Sequence, residues 1–366
     1  MIDTRYEKPL ICAFQYNWFI DQNDEHWAVG GSNRYAPTVG NYRSNDPETF
    51  RRNYEQARRS GIDCFATSVW FSTPTLLSAG DDAFKSYSCF LSQLAWMKSN
   101  KVEDFSIFVL YELENGVQAE RQPSAADILS ILEFYRGSVF SHQNYTKKRA
   151  IKKSDGTTYI DNSPVFLVYS QEGSGRVAAW VDGVQLYEAA HPGETVYLCL
   201  EVCTDSGTGP GWTDYADRDL VDCWYKYAPW GDGEYLHSTA WIHSGSVAIP
   251  TAHSAYDSFT VCPGGETASD GSGGATRDAV AYIAAWNSVL TFMAAAPANV
   301  GPSFIFICSW DEWGEASIIA PSPTWTDGVY NYPDGLYMEI TAAYATLIKG
   351  EDSRKVNKFN ISDGGG

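Results

Sequence analysis

Short apolar runs alternate with longer stretches of mixed polarity along nearly the whole chain, and this alternation predicts βα units around a parallel sheet. The first run, Leu10–Tyr16 (LICAFQY), reads as a strand. Pro47–Ser60 reads as the helix that follows it: Asp46 supplies an N-cap, Pro47 suits the first helical position and Gly61 ends the helix. Further strands are expected at Asp63–Val69, Phe105–Tyr111, Pro164–Tyr169, Thr195–Val202, Leu220–Trp224, Ser258–Val261 and Phe304–Cys308. Helices are expected at Asp81–Ser99, Ala125–Tyr135, Val177–His191, Thr276–Ala296 and Leu336–Lys349. Eight strands with helices between them predict an α/β chain folded as a single (β/α)8 TIM barrel. Long polar, Gly- and Trp-rich segments follow strands one, five and seven, as binding loops on the C-terminal face of a barrel do. Residues 1–350 are expected to form the one domain and 351–366, ending in Ser-Asp-Gly-Gly-Gly, a flexible tail or linker.

The eighth strand gives the sharpest chemical signal. Phe304-Ile-Phe-Ile-Cys308 is an unbroken apolar run, as in a strand covered on both faces. It passes at once into Trp310, Asp311, Glu312, Trp313, Gly314 and Glu315. Acids beside a core lose hydration unless they are paired or used. For an arbitrary E-x-x-E the ordinary reading is a solvated turn. Here the acids leave the C-terminal end of a buried strand, where parallel α/β folds place their chemistry. Paired carboxylates flanked by indoles suit a glycosidic bond held against aromatic faces.

Composition narrows the classes. A net charge of −19 argues against nucleic acid and anionic membrane surfaces as partners, because both demand basic patches, but leaves a charged polysaccharide open, since local basic residues can line a cleft. No apolar run approaches membrane-spanning length, so no membrane insertion is expected. The 23 Tyr and 13 Trp include more amphipathic aromatics than a core alone needs, which fits sugar stacking. The eight cysteines fall mostly inside apolar runs with no C-x-x-C pair or zinc spacing, the pattern of core thiols made in a reducing compartment. The first residues lack the apolar stretch of a secretory signal, so either the chain is not exported by that route or a leader has been removed. The six histidines form no i, i+4 pair, and no P-loop, Rossmann fingerprint or G-x-S-x-G elbow occurs at a strand–helix junction. Neither a metal nor any other cofactor is therefore expected.

Two stretches carry a family resemblance. Pro37-Thr-Val-Gly-Asn-Tyr-Arg-Ser-Asn-Asp-Pro47, followed by Gly61-Ile-Asp-Cys-Phe65, resembles the opening of glycoside hydrolase family 99. Ser309-Trp-Asp-Glu-Trp-Gly-Glu315 resembles that family's F-N-E-W-H-E signature, and equally the W-N-D-[FY]-G-E of family 71 and the W-N-E-W-A-E of family 99-like proteins. The resemblance implies an endo-acting hydrolase on a barrel, with an α-mannan or an α-1,3-glucan as the kind of substrate those families cleave. By the family 99 pattern, Glu312 is the base acting towards the sugar 2-hydroxyl and Glu315 the general acid/base. The chain departs from that pattern at Asp311, where Asn is usual, at Ala320, where Glu is usual, and at Ser68-Val-Trp-Phe71.

Around that pair, Glu112 matches by position a substrate-face Glu of family 99, and Tyr169 a tyrosine ending its fourth strand. Glu201 lies within strand five, where an inward carboxylate needs a partner. Tyr16 and Trp18, after strand one, and Trp310, Trp313 and Asp311, beside the acids, complete the expected substrate contacts. Asp222, Trp224 and Tyr225, near strand six, are weaker candidates. The expectation is an endo-acting glycoside hydrolase on a polysaccharide or oligosaccharide. The alternative is a barrel of the same fold that binds glycan without cleaving it, as in a phage or surface adhesin. Oligomeric state and location are not legible.

Overall fold

The computed structural model describes residues 8–19, 37–70, 82–112, 123–169, 174–201, 217–225, 240–242, 258–261, 279–295, 302–311, 318–321, 325–326, 331–332 and 334–350. Eight parallel strands run round the core: β1 (Leu10–Tyr16), β2 (Cys64–Trp70), β3 (Ser106–Glu112), β5 (Tyr159–Tyr169), β6 (Tyr197–Glu201), β7 (Cys223–Tyr225), β9 (Ser258–Val261) and β10 (Phe304–Ile307). The helices are α1 (Pro47–Arg59), α2 (Asp82–Ser99), α3 (Ala125–Tyr135), α4 (Ser174–Ala190), α5 (Ala279–Ala295) and α6 (Leu336–Lys349). Parallel ladders link β7, β6, β5, β3, β2, β1, β10 and β9 in that order. Between β7 and β9 there is no ladder among the described residues. The Ser258 hydroxyl donates to the Trp224 carbonyl at 2.7 Å across that seam. The fold is a nearly closed (β/α)8 barrel, as the alternation predicts.

Three additions were not legible in the sequence. Strand β4 (Lys147–Ile151) lies antiparallel on β5, β8 (Ala240–Ile242) lies antiparallel on β9, and β11 (Trp325–Thr326) pairs with β12 (Asn331–Tyr332). No helix among the described residues is long and apolar enough to cross a membrane.

Alternation along each strand sorts side chains between lumen and helix layer. Phe108 on β3 and Phe304 on β10 are not on neighbouring strands, yet their rings lie 5.6 Å apart, so both fill the lumen. Phe14, Phe306 and Tyr225 join them, with centroids 5.2 Å (Phe14–Phe306) and 5.4 Å (Tyr225–Phe306) apart. Cys12 with Cys64, and Cys199 with Cys223, are register partners on adjacent strands and remain free thiols. The other parity faces outward: Tyr111 meets Trp180 of α4 at 5.8 Å, and Phe166 meets Tyr135 of α3 at 5.3 Å. Where α3 and α4 cross, Gly183 is required, because a Cβ there would stand 2.6 Å from the Ile128 Cβ.

The N-terminal ends of the strands are tied by charge. Lys153 is buried; its ammonium donates to the Ile151 carbonyl at 2.6 Å, the Val196 carbonyl at 3.0 Å and the Asp222 carboxylate. Asp222 also accepts from the Ile151 and Leu198 N–H groups at 2.7 and 2.8 Å. Asp222 therefore precedes β7 at the floor of the barrel and is a structural anchor. Its place at the opposite end from the strand exits removes it from the site candidates.

Candidate active site

Strand register brings several of the expected residues to one level at the C-terminal ends. Glu112 on β3 pairs with Tyr169 on β5, and Glu201 on β6 pairs with Tyr225 on β7. Val168 pairs with Leu200, so Tyr169 and Glu201 are level as well. Glu112 has the parity of Phe108, and Glu201 that of the lumen-filling Tyr225, so both carboxylates face the mouth of the lumen. Glu112 is buried, whereas Tyr169 and Glu201 are half-buried. Tyr225, a weaker expectation from sequence, stands level with Glu201 in this row and donates to the Val168 carbonyl at 3.0 Å.

Tyr16 ends β1 on the lumen side, in register with Ser68 of β2. Both side chains are buried, at 2% and 0% exposure, and neither hydroxyl has a hydrogen-bond partner among the described residues. A buried hydroxyl without a partner costs of the order of 1–3 kcal/mol, and the same holds for Tyr111 and Tyr135 in the outer core layer. Ser68 was not singled out from sequence; the signal for it was the strand alternation shared with Tyr16. Trp18 is half-buried, its ring 4.5 Å from that of Tyr16.

The described residues after β10, 308–311 and 318–321, are tied to β1 and to one another. The Trp310 N–H donates to the Phe14 carbonyl at 2.7 Å, the Ile319 N–H to the Ser309 carbonyl at 3.0 Å and the Ala320 N–H to the Trp310 carbonyl at 3.0 Å. The Cys308–Ser309 peptide bond is cis. Asp311 is 1% exposed, and its two oxygens accept from the Tyr16 N–H at 2.8 Å and the Tyr42 hydroxyl at 3.0 Å. Burial pushes the Asp311 carboxyl well above its usual range, against the pull of the Tyr42 hydroxyl and the Arg52 charge. Asp311, expected to touch substrate, thus has both oxygens occupied by the protein. Trp310, expected as a sugar platform, is fully buried with its ring 5.4 Å from Phe65. Glu312, Trp313 and Glu315 lie outside the described residues.

The described residues include no group of three His, Cys, Asp or Glu side chains placed to hold a metal ion. Six of the eight cysteines are described and all six are buried, free thiols.

No protein-family profile matches the chain, and no curated protein does. Solved structures do resemble it. The GH99 endo-alpha-mannosidase from Bacteroides thetaiotaomicron, in complex with bis-tris-propane, superposes with a TM-score of 0.61 at 16% identity, over 95% of this chain and 99% of that one. A second structure of the GH99 endo-alpha-mannosidase from that organism gives a TM-score of 0.59 at 16% identity, over 94% and 98%. A glycoside hydrolase-like protein gives 0.59 at 13% identity, over 94% and 96%. The chain shares their fold from end to end.

Proposed function

We propose that this chain is a glycoside hydrolase that cleaves bonds inside a polysaccharide, with residues 1–350 as the catalytic domain and Glu312 and Glu315 as the catalytic carboxylates. The observation that carries the reading is the lumen mouth itself. Glu112 and Glu201 face it, Tyr169 and Trp18 are half-buried at its level and rim, and the described residues that flank 312–317 stand at the end of β10. A polyhydroxylated ring satisfies such a surface, and a pair of acids at its edge is what glycosidic cleavage demands. The shared fold with a glycoside hydrolase supports the same reading.

In this mechanism Glu315 donates a proton to the leaving oxygen while Glu312 removes one from the attacking group, each transfer contributing roughly 10²–10⁴-fold. Glu112 and Glu201 hold hydroxyls of the bound sugar, and Tyr169 and Trp18 bound the groove. Asp311 acts at one remove, its own carboxylate tied to the Tyr16 N–H and the Tyr42 hydroxyl just before the acidic pair in sequence.

Reducing-end release from a panel of α-mannans, α-1,3-glucans and other bacterial and algal polysaccharides tests the reading. Glu312→Gln and Glu315→Gln should each abolish release while leaving circular dichroism unchanged. Full activity in either variant refutes the assignment. Binding without release by the wild-type chain moves the barrel to the glycan-binding class.

A further inference from the structure

A second cavity, of about 440 Å³, lies outside the barrel between α1 and α6, and the proposed reaction does not use it. Its volume falls in the range of pockets that hold small ligands, roughly 300–1,000 Å³. One wall is a single face of α1, from which Arg52, Asn53, Gln56 and Arg59 project. The facing wall carries Asp334 and Glu339, with Met338 and Pro321 as apolar surface.

Charges of both signs meet this space without meeting each other. Arg52 lies over the Tyr42 ring at 5.1 Å and makes a long contact with the Thr49 hydroxyl, but neither it nor Arg59 forms an ion pair among the described residues. Glu339 has no ion pair or side-chain hydrogen bond there, and Asp334 accepts only from the Thr38 hydroxyl at 3.0 Å. Asn53 is only 5% exposed, and its amide makes no hydrogen bond with any described residue. Its amide atoms are not among the enclosed polar atoms that lack a partner, so they reach the pocket space and are open to a ligand there. The two guanidiniums and two carboxylates balance, so a net anion gains little, whereas a neutral ligand bearing both donors and acceptors bridges the gap. Vicinal hydroxyls on a ring with apolar faces have that chemistry.

We infer that this cavity is an accessory binding site for a neutral glycan segment, separate from the lumen mouth. Its wall residue Tyr42 also holds Asp311, so the pocket adjoins the stem of the acidic segment through one hydrogen bond. The site rests on the glycan part of the proposed function but not on cleavage.

The chain has four methionines, of which Met338 lines the pocket and Met97 is buried in the core. Methyl-labelled methionine NMR therefore reads occupancy directly, with Met338→Leu giving the assignment. Mannotetraose, nigerotetraose and cellotetraose are titrated into the full chain carrying Glu315→Gln, with tri-galacturonate as the anionic probe. At least one neutral tetraose should shift the Met338 methyl saturably while Met97 stays fixed. Gln56→Ala with Arg59→Ala should weaken that binding by about tenfold or more. Because the readout is a methyl shift, loss of hydrolysis and loss of this site are told apart. A Met338 methyl that no neutral tetraose moves, one that moves only with tri-galacturonate, or affinity unchanged in the double variant each overturns the site.

Discussion

Replacing Asp311 separates its two properties, hydrogen-bond acceptance and charge. In Asp311→Ala the Tyr16 N–H and the Tyr42 hydroxyl both lose their acceptor in a buried setting. Each orphaned donor costs about 1–3 kcal/mol, so the loss is about 2–6 kcal/mol, a large share of the ~5–15 kcal/mol that keeps a domain folded. Asp311→Asn keeps one acceptor for the Tyr16 N–H and turns an amide towards the Tyr42 oxygen, so the change should stay within about 1 kcal/mol. Charge adds a pH signature. The folded-state pKa of Asp311 is raised, chiefly by burial. A raised acid is stabilising below its unfolded value, near pH ~4, and that contribution fades as pH climbs through the folded value. Relative to wild type, the Asn variant should therefore gain stability from pH 4.5 to pH 8. Urea unfolding at the two pH values, followed by tryptophan fluorescence, measures both effects. An Asn variant as unstable as the Ala variant, or a difference from wild type that ignores pH, would refute the account.

Three other perturbations test the frame. Lys153→Met strands the buried Asp222 carboxylate and should cost about 3–5 kcal/mol in urea unfolding at pH 7; a loss below about 1 kcal/mol would remove the floor of the barrel as an anchor. Gly183→Ala drives a Cβ to 2.6 Å from Ile128 and should cost about 1–3 kcal/mol, whereas an unchanged melting temperature would mean α3 and α4 are not packed as described. Asp155 and Glu194 are held down to about 2, Asp155 by the Thr158 and Thr157 N–H groups and Glu194 by Arg136. Their stabilisation is present above pH ~4 and drains away towards pH 2, so Glu194→Gln should flatten the acid limb of the stability curve.

Much of the barrel was legible because its strands are apolar and its helices capped. Asp46 and Pro47 open α1, and Ser124 with Asp127 forms a capping box at α3. Strand β4 hid behind its charges. Lys147-Lys-Arg-Ala-Ile151 has no apolar face to read, yet Lys148 is buried with its ammonium 4.9 Å from the Phe304 ring. That cation–π contact closes the lumen where a hydrophobic side chain was the expectation. The sixth parallel strand was expected at Leu220–Trp224 and lies at Cys223–Tyr225. Such offsets decide function, because neighbouring positions face opposite ways. Trp224 is turned from the lumen and Tyr225 into it. At the candidate site, register was the missing information. Glu112, Tyr169 and Glu201 are far apart in sequence, and only ladder pairing sets them level. Trp310 shows the converse: an indole beside acids suggests stacking, but the backbone after β10, tied to the Phe14 carbonyl, commits it to the core.

The seam between β7 and β9 makes the barrel a split collar. Seven of its junctions are zipped by backbone ladders, while the remaining one among the described residues is clasped by the Ser258 hydroxyl. A collar joined in that way yields first at the clasp, where a single side-chain hydrogen bond stands in for a backbone ladder. Glu201 and Tyr225 stand on one lip and Val261 on the other, so a change of a few atoms at the clasp shifts these two lips relative to each other.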